Sequence, residues 1–259
     1  MDSFVKPKKS LGQHFLKDKN IAVKIVDSLS GHENYNDVVE VGPGMGVLSD
    51  ILIERQMFNW YGIEVDRDSV AFLKERYPKI ENNIIEEDFL KVNFADYLDN
   101  KNFAVIGNFP YNISTQILFK ILENHKQIPE MVGMFQKEVA MRVCAGPGSK
   151  TYGILSVLCK AFYTTEWLFH VSENVFIPPP KVKSTVIRMQ HKTDMELPCS
   201  EKLLFSVVKT AFNQRRKTLR NSLKGMQIDW SVLPESIPGK RPEQLDVEIF
   251  FDIANAVLI

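Results

Sequence analysis

The chain has 259 residues, 44% of them hydrophobic and 25% charged, with no net charge at neutral pH, which suits one large globular domain or a large one with a small one. No apolar run approaches a bilayer span, the basic N-terminal stretch lacks the apolar segment of a secretory signal, and Cys144, Cys159 and Cys199 are too scattered for a disulfide framework or a zinc site. A reducing cytoplasm, no membrane, no metal and a monomer are therefore expected. The charge is unevenly spread: +3 over residues 1–20, −8 over 21–130 and +5 over 131–259, an asymmetry that suggests a polyanionic partner touching the two ends.

Residues 6–19 mix basic, aromatic and glycine residues without periodicity and read as an extended arm. Asn20 is placed to cap a helix whose apolar face is Ile21, Ile25, Val26 and Leu29. Strand and helix signals then alternate. The strands are Val38–Val41, Trp60–Asp66, Asn83–Asp88, Phe103–Ile106 and Met131–Phe135; the helices are Val47–Met57, Arg67–Tyr77 and Ile113–Leu122. This order predicts a parallel α/β sheet with ligands at the carboxyl ends of the strands. Helices follow at Lys137–Ala145 and Tyr152–Phe162. Trp167–Val171 and Ser184–Met189 close the sheet at seven strands, with a rigid extended loop, Phe176–Lys181, between them. Composition changes after His191 and the pattern becomes helical: a run through Leu203, Val207, Ala211 and Leu219, stopped by Gly225, and a last helix from Arg241 to Leu258. The predicted domains are residues 1–192 and a small all-helical 193–259.

Gly42-Pro43-Gly44-Met45-Gly46 is G-x-G-x-G, not the G-x-G-x-x-G that cradles a dinucleotide pyrophosphate, and Pro43 removes one amide from the loop. A tight turn of this kind suits a nucleoside cofactor without phosphates, such as S-adenosylmethionine. Glu64, 22 residues after Gly42, is positioned to take both ribose hydroxyls, and Asp88 to accept from an adenine amine. Asn108-Phe109-Pro110-Tyr111 ends the fourth strand at the same crevice. An exocyclic adenine amine is a poor nucleophile that must be positioned; the Asn108 side-chain oxygen and the Phe109 carbonyl suit its two N–H groups, Pro110 fixes the turn, and Tyr111 can stack on an extruded base. Phe176 is a candidate for the other face of that base, or else a hydrophobic anchor for its loop. Residues 209–224 carry six positive and no negative charges; read as a helix, they turn Arg215, Arg216, Lys217 and Arg220 toward phosphates.

With these motifs assembled, the chain resembles the bacterial ribosomal RNA small-subunit adenine dimethyltransferases, the kasugamycin-sensitivity enzymes. The resemblance runs through Leu11–Leu16, Glu40–Gly46, Glu64–Asp66, Glu87–Asp88, Asn108–Tyr111, Gln136–Ala140, Phe176–Ser184 and Ala211–Leu223. It implies a Rossmann-like class I S-adenosylmethionine-dependent methyltransferase fold. It also implies dimethylation at N6 of two adjacent adenosines in the 3′-terminal hairpin loop of 16S rRNA, within the 30S small subunit, as a step of ribosome biogenesis. Cofactor contacts fall on positions matching His14, Leu16, Gly42, Glu64, Asp88 and Asn108, with Gly44 in the same turn; the family usually has Asn where this chain has His14. A related family that methylates 23S rRNA and confers macrolide resistance shares the cofactor and base motifs, while the 214–223 run resembles the small-subunit enzymes. A non-catalytic RNA-binding assembly factor would not need Glu64, Asp88 and Asn108 together, and the glycine spacing disfavours an NAD-dependent oxidoreductase.

Overall fold

A computed structural model describes residues 5–193 and 196–258. Met1–Phe4 of the basic N-terminus, and Asp194, Met195 and Ile259 at the bounds of the expected C-terminal domain, lie outside the described residues.

The arm is not wholly irregular. Lys9–Leu11 form a 3-10 turn that ends on Gly12, and β1 (Phe15–Leu16) follows. α1 (Lys19–Val26) is capped by Asp18, not by Asn20: its carboxylate accepts from the amides of Asn20 and Ile21 at 2.9 and 3.2 Å. Aspartate satisfies two of the free amides of the first turn, which the sequence pattern alone located two residues late.

The strand–helix alternation then runs as β2 (Asp37–Val41), α2 (Val47–Arg55), β3 (Asn59–Glu64), α3 (Arg67–Arg76), β4 (Ile84–Glu86), α4 (Ala95–Leu98), β5 (Phe103–Asn108), α5 (Ser114–Glu123) and β6 (Glu130–Gln136). After α6 (Lys137–Cys144) and α7 (Ile154–Phe162) come β7 (Tyr163–Val171), β8 (Phe176–Ile177) and β9 (Ser184–His191). Among the described residues one sheet has seven strands, in the order β4-β3-β2-β5-β6-β9-β7. β2 to β6 pair in parallel, and β9 runs antiparallel to β6. All five residues of β2 are buried, as a strand covered on both faces requires. The order reverses at β2, between β3 and β5, which places a crevice at the carboxyl ends of these strands. Val38, Leu48, Leu52, Ile106, Val132 and Phe176 belong to the core behind it. The sheet is the seven-stranded, mostly parallel, Rossmann-like one expected.

Part of the Phe176–Lys181 stretch, expected as loop, is strand: β8 pairs antiparallel with β1, Phe15 opposite Ile177 and Leu16 opposite Phe176.

The chain divides into two compact units. One comprises Met1–Ala140 and Glu166–His191, the other Met141–Thr165 and Lys192–Ile259. A single cut at residue 192 therefore misplaces residues 141–165. The reason is packing: α7 lies against α8 (Glu201–Asn213) and α10 (Val247–Asn255), so its apolar face joins the helical unit. That unit also holds the short helix α9 (Leu219–Ser222). In place of one final helix from Arg241, a 3-10 turn at Pro242–Gln244 precedes α10.

Candidate active site

The first unit carries a cavity lined by Gly42, Gly44, Glu64, Asp88 and Asn108–Ile113 on one side and by Leu11–Phe15 of the arm on the other. Its floor is the glycine turn after β2. Gly42, Gly44 and Gly46 all have left-handed backbone, with φ of +64°, +57° and +78°, which glycine adopts without a steric cost. At Gly44 a side chain would also lie 2.9 Å from the Phe15 ring. Glycine there lets the arm close over the turn.

Glu64 ends β3 and is 4% exposed. Its Oε2 accepts from the Gly44 amide at 3.0 Å and its Oε1 from the Asp66 amide at 2.9 Å. Each oxygen keeps a lone pair for a hydroxyl donor. Burial pushes its carboxyl above the ordinary carboxylate range, against the pull of those two amides. Behind the turn, Glu40 of β2 is fully buried, and its Oε2 accepts from Ser49 Oγ at 2.6 Å and Trp60 Nε1 at 2.8 Å; burial pushes it up to about 7. Asp88 lies two residues past the end of β4, not on the strand as expected. Its Oδ1 accepts from the Leu90 amide at 3.0 Å, and its partly exposed carboxylate lines the cavity.

Asn108 ends β5, and its Nδ2 donates to the His14 carbonyl at 2.8 Å. A carbonyl can only accept, so this bond fixes which end of the amide faces the arm and leaves Oδ1, the acceptor, for the cavity. The Phe109 ring is buried against Phe135, with centroids 4.9 Å apart, so the backbone of Phe109 is what it presents to the cavity. The ring fits because Gly107 and Gly133, opposite each other on β5 and β6, have no side chains: a Cβ at Gly133 would lie 2.1 Å from it. The Pro110 carbonyl accepts from the Ile113 amide and closes the turn. Tyr111 stacks on His14, centroids 5.4 Å and planes 29° apart, and its hydroxyl meets Ser184 Oγ. His14 Nδ1 donates to the Pro178 carbonyl at 2.8 Å, which directs Nε2 elsewhere.

His14, Gly42, Gly44, Glu64, Asp88 and Asn108–Tyr111 therefore meet around one cavity. Two expected residues do not join them. Phe176 is 1% exposed, so it cannot cover one face of a bound base, and Leu16 is 5% exposed and lines only a smaller hollow beside Gly42 and Asn108. Both are register partners in the β1–β8 pair and point into the core. The anchoring role for Phe176 is the one that holds. Sequence reasoning missed the roles of Lys8, Gln13 and Asp66, which tie the arm to the turn between β3 and α3: the Lys8 ammonium and Gln13 Nε2 both reach the Asp66 carboxylate. A lone aspartate after Glu64 carries no local signal of being 2% exposed.

These residues fit S-adenosylmethionine. Gly44 offers bare backbone, and the buried Glu64 carboxylate and the partly exposed Asp88 carboxylate offer acceptor oxygens to the same cavity, a set suited to the hydroxyl and amine donors of a nucleoside.

In the second unit the basic run is not one helix. α8 ends at Asn213, Arg215–Lys217 lie on a turn, and α9 begins at Leu219. Arg215 is partly engaged by backbone: its guanidinium donates to the carbonyls of Lys150 at 2.8 Å and Ser149 at 3.1 Å and lies 3.8 Å from Glu243, while its side chain stays 37% exposed. Arg216, Lys217 and Arg220 are exposed, Arg220 lying over the Trp230 ring at 5.6 Å. No helix among the described residues is long and apolar enough to cross a membrane.

The profile of the family "Ribosomal RNA adenine dimethylase" matches residues 5–251. The chain is 59% identical to ribosomal RNA small subunit methyltransferase A of Flavobacterium johnsoniae, over 98% of this chain and 96% of that one. With the protein of the same name from Bacteroides thetaiotaomicron it shares 56% identity, over 98% and 94%. In fold it matches a dimethyladenosine transferase from Plasmodium falciparum, with a TM-score of 0.76 and 24% identity over 95% of this chain and 100% of that one. It also matches the 23S rRNA methyltransferase ErmE, with a TM-score of 0.66 and 23% identity over 93% and 99%. A glycine turn, a buried glutamate and an amide-bearing turn sharing one cavity agree with a match that spans nearly the whole sequence: the chain belongs to the ribosomal RNA adenine dimethylase family.

Proposed function

We propose that this chain transfers methyl groups from S-adenosylmethionine to N6 of two adjacent adenosines in the 3′-terminal hairpin loop of 16S rRNA, within the 30S small subunit. In this reading it acts as a cytoplasmic monomer during ribosome assembly. The observation that carries it is the Asn108 amide, held by the His14 carbonyl so that its oxygen faces the cavity floored by Gly42 and Glu64.

When bound, the cofactor supplies an electrophilic methyl group. Gly42, Gly44, Glu64 and Asp88 hold its adenosine, and His14 lies toward its amino-acid end. Asn108 Oδ1 and the Phe109 carbonyl accept the two N–H groups of the target amine. Accepting those hydrogens favours the pyramidal nitrogen that gathers positive charge as its lone pair forms the new N–C bond, while the methyl's bond to sulfur would break and leave its electron pair on sulfur as a neutral thioether. The nitrogen then sheds one proton to solvent, so no general base is needed before attack. Because His14 covers one face of Tyr111, the base stacks on the other face only. Arg216, Lys217 and Arg220 meet RNA phosphates, and Arg215 holds their turn in place.

The test is incorporation of labelled methyl groups into undermethylated small subunits, followed by mapping of the modified nucleotides. Label on two adjacent adenosines of the 16S 3′-terminal hairpin supports the reading. Label chiefly on 23S rRNA moves the chain to the macrolide-resistance activity, and no label on either RNA leaves an assembly factor.

A further inference from the structure

Asp66 is a buried carboxylate just beyond the strand end that supplies Glu64, and it faces two ways. Its backbone amide donates to Glu64 Oε1 at 2.9 Å. Its side chain is satisfied by the Lys8 ammonium, by Gln13 Nε2 at 3.2 Å and by Ser69 Oγ at 3.0 Å. Lys8 is bound again within the arm, its amide donating to Gln13 Oε1 at 2.8 Å, and its ammonium lies 2.7 Å from Asp68. Gln13 thus donates to Asp66 and accepts from the arm. The next residue is His14, whose carbonyl holds the Asn108 amide at 2.8 Å. Just before Gln13, Gly12 is left-handed at φ +64°, and any side chain on it would lie 2.5 Å from Asn112 Oδ1. The arm is seated on the turn that carries Asn108.

Resting on the methyltransferase reading, we infer that Asp66, through Gln13 and Lys8, is a positioning residue for methyl transfer. It pins the arm so that the His14 carbonyl keeps the Asn108 amide with its oxygen toward the target amine. An amide released from His14 can rotate, and its NH₂ end would then oppose the amine instead of accepting from it. The same residue contacts the ribose-side carboxylate Glu64 and anchors the arm, so the cofactor half of the site is mechanically joined to the base half.

The experiment compares Gln13→Ala, Lys8→Met and Asp66→Asn with the parent chain. kcat is expected to fall by about 10- to 100-fold, the scale set by small misplacements of reacting groups. The dissociation constant for S-adenosylmethionine, measured by calorimetry, should move by no more than about 3-fold, because backbone and Glu64 contacts persist. Protein labelled with ¹⁵N-asparagine gives a readout independent of turnover: the Asn108 side-chain NH₂ signals should lose their protection from solvent exchange in each variant. If Asp66→Asn does not fold, Gln13→Ala, which buries no charge, still decides the matter. Unchanged kcat with unchanged Asn108 signals overturns the inference, as does a loss of cofactor affinity equal to the loss of kcat. Altered Asn108 signals in a chain whose parent methylates no small subunit would overturn the methyltransferase reading and leave the anchor standing.

Discussion

Two walls enclose the cavity, and they are held by different means. Gly42, Glu64, Asp88 and Asn108 follow successive parallel strands, whose register is set by pairings such as Glu40 with Gly62 on one side and Ile106 on the other. The opposite wall, Leu11–Phe15, is a 3-10 turn and a two-residue strand fastened by side chains: Lys8 and Gln13 to Asp66, Asn108 to the His14 carbonyl, and His14 to Pro178. Losing one contact in a paired sheet leaves the rest in place. The arm is pinned at Phe15–Leu16 by the β1–β8 pairing and a buried leucine, but Lys8–His14 rely on a few polar contacts, so losing one of these loosens that stretch. The strand wall should therefore report on global stability, and the arm wall on local opening and on turnover.

The largest effect is expected at Asn108, where the two walls meet. Asn108→Ala is expected to reduce kcat by about 10²–10³-fold, the cost of removing one preorganised polar group from a transition state, while cofactor binding by calorimetry is largely kept. Unchanged turnover would remove the amide from the mechanism.

Glu40 tests the strand wall alone. Its carboxyl sits at about 7 in the folded chain against an ordinary 4.5. Between those values the folded chain retains a proton that the unfolded chain has lost, so the stability it contributes is present below pH about 4.5 and is lost as the pH rises through about 7. The shift corresponds to about 3 kcal/mol. Glu40→Gln keeps an acceptor for Ser49 and Trp60 and should flatten urea-unfolding stability across that window, the parent chain losing stability while the variant does not. An identical pH dependence in both would assign the effect to other groups.

The smallest effect is expected at the root of the arm. Asp18→Ala removes the cap of α1 and should cost about 1 kcal/mol. By hydrogen exchange, the loss should be confined to the first turn of α1 and the neighbouring arm, sparing β2 and β5. Faster exchange throughout the sheet would mean that the two walls open together.

How much of this was legible depends on the range of the interaction involved. Alternating apolar strands and amphipathic helices place β2 to β6 within a few residues, because burial on both faces of a parallel sheet forces apolar runs into the local sequence. The same logic makes the turn at Gly42 and Gly44 readable, since left-handed backbone needs glycine, and it places Glu64 at the end of its strand beside that turn. Phe176 shows where that logic stops. A phenylalanine before a proline run looks the same whether its ring faces a ligand or a core, and the β1–β8 pairing, between residues far apart in sequence, settles it as core. Arg215 is a second case: a basic run marks it as a cation, and only the fold shows that the carbonyls of Ser149 and Lys150 hold its guanidinium.

The sheet, the glycine turn, the amide-bearing tetrapeptide and the family are legible before any fold is known, since each is written in contiguous residues with a local physical cause. Long-range packing is what places residues 141–165 with the helical unit and holds the arm on a buried aspartate. It also decided which end of the Asn108 amide faces the cavity. These depend on partners far apart along the chain, 94 residues in the case of His14 and Asn108, and no local pattern of apolar and polar residues records which of them meet.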